Sequence, residues 1–90
     1  MKELEEIVRL FKAAVDSLNM GRDHVTSKAM YNQAQSQLDG LEKDMRSPAG
    51  ALVRKARPAI RAHLMHEKSL HKRFETSLAY WTQALESGLD

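Results

Sequence analysis

Hydrophobic positions in the first fifth of the chain follow a helical rhythm. Apolar side chains alternate between steps of four and three residues: Leu4, Val8, Phe11, Val15 and Leu18. This spacing places them on one face of an amphipathic helix. Glutamates precede that face, as the dipole of a helix start favours. The pattern predicts a helix over about residues 3–19.

A second helical pattern follows after a short polar interval. Its apolar positions again step by three and four residues: Tyr31, Ala34, Leu38, Leu41 and Met45. Its opposite face is polar and nearly uncharged, and we expect this helix over about residues 24–46. Because only a few residues separate the two helices, they should pack side by side as an antiparallel hairpin.

The third segment begins at Ser47-Pro48, where a serine can cap a helix and a proline suits the first helical position. From there a helical pattern continues to about residue 87, and Pro58 predicts a kink or a break. An unbroken helix over 48–87 would be about 60 Å long, which exceeds the hairpin. Either part of it folds back as a separate helix or a second copy covers it.

These patterns predict an all-α fold in a single domain spanning residues 1–90. It consists of an antiparallel helical hairpin plus a long third helix kinked or broken at Pro58, as a three- to four-helix bundle completed by self-association, with a dimer favoured. A chain of 90 residues has a small core. It contains no cysteine, which excludes a disulfide framework. No apolar run approaches the roughly 20 residues of a membrane span, so we expect a cytoplasmic protein without membrane contact.

Charge is distributed unevenly along the chain. The formal net charge is only +2, but residues 46–73 contain eight Lys or Arg and one Asp or Glu. Projected at one turn per 3.6 residues, five cations of the third segment share one strip about 27 Å long. The members of this strip are Arg54, Arg57, Arg61, Lys68 and Lys72. It predicts a surface for phosphates or for an acidic partner, with a merely solvated helix face as the alternative.

The same projection places two polar residues, Glu67 and His71, in the middle of the apolar face. We expect them to form a buried hydrogen-bonded pair that fixes the register of a seam between helices or chains, with simple exposure at a gap in the packing as the alternative. His63 extends this group at a spacing of i, i+4, i+8, and the three side chains are weak candidates for metal ligands. Without a further ligand cluster, the sequence predicts no metal site and no cofactor.

No sequence motif for a catalytic nucleophile, a phosphate-binding loop or a dinucleotide site is present. The sequence therefore predicts a non-enzymatic helical interaction module, acting as an adaptor, a chaperone-like subunit or a regulator through contacts with a protein partner. The alternative is a nucleic-acid-binding protein whose basic strip contacts phosphates.

Overall fold

The computed structural model describes residues 2–21 and 24–87, and within these ranges the regular structure is entirely α-helical. Four helices follow one another along the chain: α1 (Lys2–Asn19), α2 (His24–Lys43), α3 (Pro48–Leu64) and α4 (Leu70–Ser87). The predicted all-α class is confirmed. The first two helices lie close to their predicted bounds, and α2 ends three residues early.

The helices form a four-membered bundle. Helix α1 packs against α2 and α4, and α3 closes the arrangement by packing against the same two helices. Helices α2 and α3 run antiparallel. Arg54 of α3 contacts the C-terminal end of α2, and Arg57, further along α3, contacts Gln35, which lies earlier in α2. Within the described part of the chain, no helix combines the length and apolarity needed to cross a bilayer.

An aromatic cluster centred on Tyr31 ties three helices together. The ring of Tyr31 stacks on Phe74 of α4, with ring centroids 4.4 Å apart, and meets Phe11 of α1 edge-on at 5.4 Å. The Tyr31 hydroxyl shares a hydrogen bond of 3.1 Å with Ser77 Oγ. The apolar ring is therefore buried while its polar tip is satisfied, as buried tyrosines require.

The predicted start of α3 is confirmed in atomic detail. Ser47 is the N-cap, and its Oγ accepts a hydrogen bond of 3.2 Å from the backbone N–H of Gly50. Pro48 occupies the first turn, where its missing N–H costs no helical hydrogen bond. Gly50 is buried against α2, which brings the two backbones close together.

Of the kink or break predicted at Pro58, a break does not occur there; the chain leaves the helix at residues 65–69 instead. Helix α3 continues through Pro58, whose ring is exposed, and ends at Leu64. A new helix then begins after Ser69, whose Oγ accepts from the backbone N–H of Lys72 at 3.3 Å. The buried residues Ile60 and Leu64 anchor α3 beyond the proline, and this packing offsets the lost backbone hydrogen bond.

The overhanging helix predicted over 48–87 is therefore two helices joined by residues 65–69. Phe74 and Trp81, which lie on its apolar face, are buried within the chain itself. The length argument for a second copy no longer applies, so self-association stays a prediction without that support.

Candidate functional site

An open cleft of about 380 Å³ lies between α2, the end of α3 and the beginning of α4. We call it the arginine cleft; its lining residues are Tyr31, Asn32, Gln35, Arg57, Arg61, Leu64, Met65 and Arg73. Its volume falls in the range of roughly 300–1,000 Å³ that is typical of ligand sites. At the opposite end of the α2–α3 pair, Gly50 holds the helices in close contact, so the cleft occupies the end away from this contact.

Arg57 is the buried one of the three arginines in the arginine cleft, with only 5% of its surface exposed. Its Nη1 lies 2.6 Å from Asp39 Oδ1 and 2.7 Å from Glu42 Oε2. Its Nη2 donates to Gln35 Oε1 at 3.1 Å. These are short charge-assisted contacts of the stronger class. Arg57 therefore joins α3 to α2, and its charge is already balanced by the protein.

Arg61, one turn further along α3, is in a different situation. Its side chain is exposed, and it forms no hydrogen bond or ion pair with any residue that the structure describes. Arg73, from the first turn of α4, is half-buried and donates from Nη1 to the Glu67 carbonyl oxygen at 3.0 Å. The cleft thus contains one unengaged guanidinium and a second one that keeps most of its donors available.

Two amide side chains of α2 add further donors to the arginine cleft. Gln35 Oε1 accepts a hydrogen bond from Arg57, so the NH₂ group of Gln35 is the donor that remains for a ligand. Asn32 is exposed one turn earlier. Leu64 and Met65 make the remaining wall apolar, and Met65 is 70% exposed. Guanidinium and amide donors beside an apolar wall can bind an oxyanion that carries an apolar neighbour.

The five cations of the predicted strip do not form one surface. Arg54 Nη1 donates to the carbonyl oxygens of Glu42 and Asp44, at 3.1 Å each. Arg57 is buried and already forms ion pairs, and Arg61 lines the cleft. The remaining two cations stand on other elements: Lys68 lies in the α3–α4 loop and Lys72 in α4. The 27 Å strip required a continuous helix, and the loop at 65–69 interrupts it.

The predicted buried pair of Glu67 and His71 is also wrong. Glu67 lies half-buried in the α3–α4 loop. His71 is exposed, with its Nε2 3.5 Å from Glu75 Oε1. The spacing of four residues brings side chains together only within a helix, and α4 begins after Glu67.

The weak metal candidates do not converge either. The His63 ring stacks on Tyr80 at 4.4 Å, away from Glu67 and His71. Among the described residues, no group of three or more His, Asp or Glu could hold a metal ion. His63 instead takes part in the contact between α3 and α4.

Six cleft residues escaped the sequence analysis as site residues: Tyr31, Asn32, Gln35, Leu64, Met65 and Arg73. Tyr31 was assigned to the core, where its ring lies, but one side of it also lines the cleft. The signal for Asn32 and Gln35 was present in the uncharged polar face of the second helix. Such a face opposite a strongly basic segment is a reason to expect a polar cleft between them. Arg73 entered the cleft only because the chain turns at 65–69.

The two arginines of α3 should differ sharply in their effect on stability. We expect Arg57→Ala to lower the free energy of unfolding by about 2 kcal/mol, since it removes charge-assisted bonds and a packed stem. The loss stays below that of a fully buried pair because the side chain of Asp39 is 55% exposed and can hydrate. Arg61→Ala should change stability by less than about 0.5 kcal/mol. Urea unfolding followed by circular dichroism compares them, and equal losses would contradict this assignment.

Comparison with known proteins supplies no function for this chain. No protein-family model matches the sequence, and neither a curated protein nor a solved structure is significantly similar to it. Its function has to be inferred from the arginine cleft.

Proposed function

We propose that the protein is a non-enzymatic helical interaction module that binds an anionic segment of a protein partner in the arginine cleft. The observation that carries this proposal is Arg61: an exposed guanidinium without a partner among the described residues, in a cleft already formed. A guanidinium presents several N–H donors in a planar fork that fits carboxylates and phosphates.

The surroundings of Arg61 support the same assignment. Arg73 adds a second positive charge, and its main-chain contact to Glu67 restricts its position before a ligand arrives. The NH₂ group of Gln35 is held in place because the other end of that amide is bonded to Arg57. Donors that are already positioned lose less conformational entropy on binding.

The chemistry of the lining favours binding over catalysis. Its polar members are guanidinium and amide groups, which hold anions but do not act as nucleophiles at neutral pH. The Tyr31 hydroxyl is engaged with Ser77. Among the residues that line the cleft, no histidine or carboxylate adjoins this hydroxyl as a general base.

Nucleic-acid binding is the weaker candidate. Phosphate contacts along a duplex call for several available cations in a row. Arg54 and Arg57 are occupied by acceptors within the chain. The other three cations of the predicted strip lie on different elements: Arg61 in α3, Lys68 in the α3–α4 loop and Lys72 in α4. A protein partner with a local anionic group fits this arrangement better.

The test is an NMR titration of isotope-labelled protein with three probes: an acidic peptide, a phosphopeptide and a short DNA duplex. We expect shifts centred on the arginine cleft, and Arg61→Gln should weaken binding by about tenfold or more, the equivalent of one charge-assisted hydrogen bond. The control Lys55→Gln removes another exposed charge from α3 and should change the affinity by less than about twofold.

Two outcomes would overturn the proposal. One is that none of the three probes binds. The other is that the shifts cluster around Lys68 and Lys72 with the duplex alone, which would favour nucleic-acid binding outside the cleft.

A further inference from the structure

We infer that the group recognised in the arginine cleft is a single carboxylate flanked by an apolar side chain, as in an acidic peptide segment, and not a phosphate. This inference rests on the proposed function and specifies its ligand. It depends on the charges in and beside the cleft, on the ion pairs that Arg57 already forms, and on the apolar wall of the cleft.

The charges around the cleft sum to a small positive value. Arg57 lines the cleft and pairs with two carboxylates outside its lining, Asp39 and Glu42, which leaves this group with a formal charge of −1. At the mouth of the cleft, Arg61 and Arg73 supply two positive charges. The whole site therefore has a formal charge of +1, which one carboxylate neutralises.

A phosphate is less well matched to this balance. A phosphomonoester carries a charge of about −1.5 to −2 near neutral pH. Its excess negative charge would face Asp39 and Glu42, and such like-charge repulsion opposes binding. The two acids thus discriminate against a doubly charged ligand while Arg61 and Arg73 attract a singly charged one.

An ion pair beside the cleft shows how one of its arginines binds a carboxylate. Asp39, which is partly exposed and lies outside the cleft lining, has its Oδ1 2.6 Å from Arg57 Nη1. Arg61 lies one helical turn from Arg57 and offers a second group of the same type.

The apolar wall specifies what lies next to the carboxylate. Leu64 and Met65 line the mouth of the cleft, and 70% of the Met65 surface is exposed. Methionine side chains adapt to differently shaped apolar partners. A leucine or methionine beside the ligand carboxylate would cover Met65. The cleft volume, near the lower end of the usual range, suits a short segment.

The experiment compares capped peptides on one scaffold by isothermal titration calorimetry. The reference peptide has a glutamate between two leucines; the others replace this glutamate by glutamine or phosphoserine, or replace both leucines by serine. We expect the reference to bind about tenfold tighter than the glutamine peptide, consistent with one charge-assisted contact. It should also bind more tightly than the phosphoserine and serine-flanked peptides.

A fifth peptide separates the two sources of a carboxylate. It carries glutamine in place of glutamate but ends in a free carboxylate after a leucine. If it binds as well as the reference, the cleft recognises a chain terminus; if it does not, the cleft recognises an acidic side chain. Either result supports a carboxylate ligand.

Two variants test the charge balance and the apolar wall separately. Asp39→Asn removes one carboxylate and keeps the ion pair between Glu42 and Arg57. It should therefore raise the affinity for the phosphoserine peptide, relative to that for the reference peptide, several-fold. Its control is Asp16→Asn, which removes an exposed acid of α1. Met65→Gln should weaken the leucine-flanked peptide but not the serine-flanked one. Asp39 and Met65 are both exposed enough for the variants to fold.

The outcomes distinguish this inference from the proposed function. If the phosphoserine peptide binds more tightly than the reference and still depends on Arg61, the carboxylate assignment fails and the binding module stands. If none of the five peptides binds and the phosphate probes also fail, both are wrong.

Discussion

Replacing Phe74 by alanine should lower the free energy of unfolding by about 3–5 kcal/mol, the range for removing a large buried aromatic side chain. Phe74 is 2% exposed, and its ring stacks on Tyr31. Small domains have a total stability of about 5–15 kcal/mol, so this variant should be near its unfolding threshold. The loss would also remove support from beneath Tyr31, which lines the arginine cleft.

Tyr80 is the matched control for this change, because it is an aromatic residue of the same helix that also stacks on another ring. It is only half-buried, so Tyr80→Ala should cost about 1 kcal/mol. Urea unfolding followed by the fluorescence of Trp81, the single tryptophan, measures both variants. Similar losses would show that the Tyr31 cluster is not the centre of the core.

Gly50→Ala should be the second large effect, a loss of about 3 kcal/mol at the upper end of the usual range for overpacking. A Cβ at this position would collide with the backbone carbonyl oxygens of Leu41 and Asp44. Neither oxygen belongs to a side chain that could rotate away, so α2 and α3 would have to separate.

Gly40→Ala provides the opposite case. A Cβ there meets no atom within 4 Å, and α2 would gain about 0.5–1 kcal/mol from the better helix former. Thermal unfolding of the two variants should therefore shift in opposite directions. A stable Gly50→Ala protein would mean that the two helices are not held at this contact.

Periodicity predicted a helix well where the apolar spacing and the local signals for the helix ends indicate the same bounds. In α1 and α2, steps of three and four residues coincide with the buried faces, except at Met45, which lies beyond α2 and is 76% exposed. Ser47-Pro48 marked the start of α3 by a local capping interaction. Such signals depend on near neighbours in the chain, so they can be read without knowing the tertiary structure.

The missed break shows where this approach fails. Pro58 is a strong local breaker, yet packing keeps α3 intact around it. The actual start of α4 had a weaker signal in Ser69, a cap ahead of Leu70. The helical phase was carried across residues 65–69, where the chain leaves the helix, so residues before and after this loop were projected onto one common helix. That one error produced both the strip ending at Lys72 and the pair at His71.

The contact of Arg54 with the end of α2 has a consequence for how the protein opens. Helix α2 leaves carbonyl groups at its C-terminus that need donors, and Arg54 of α3 supplies them at Glu42 and Asp44. The last turn of α2 therefore loses its cap whenever α3 detaches. We infer that this turn and α3 unfold together as one cooperative unit, so amide hydrogen exchange there reports the release of α3 and not the fraying of a helix end.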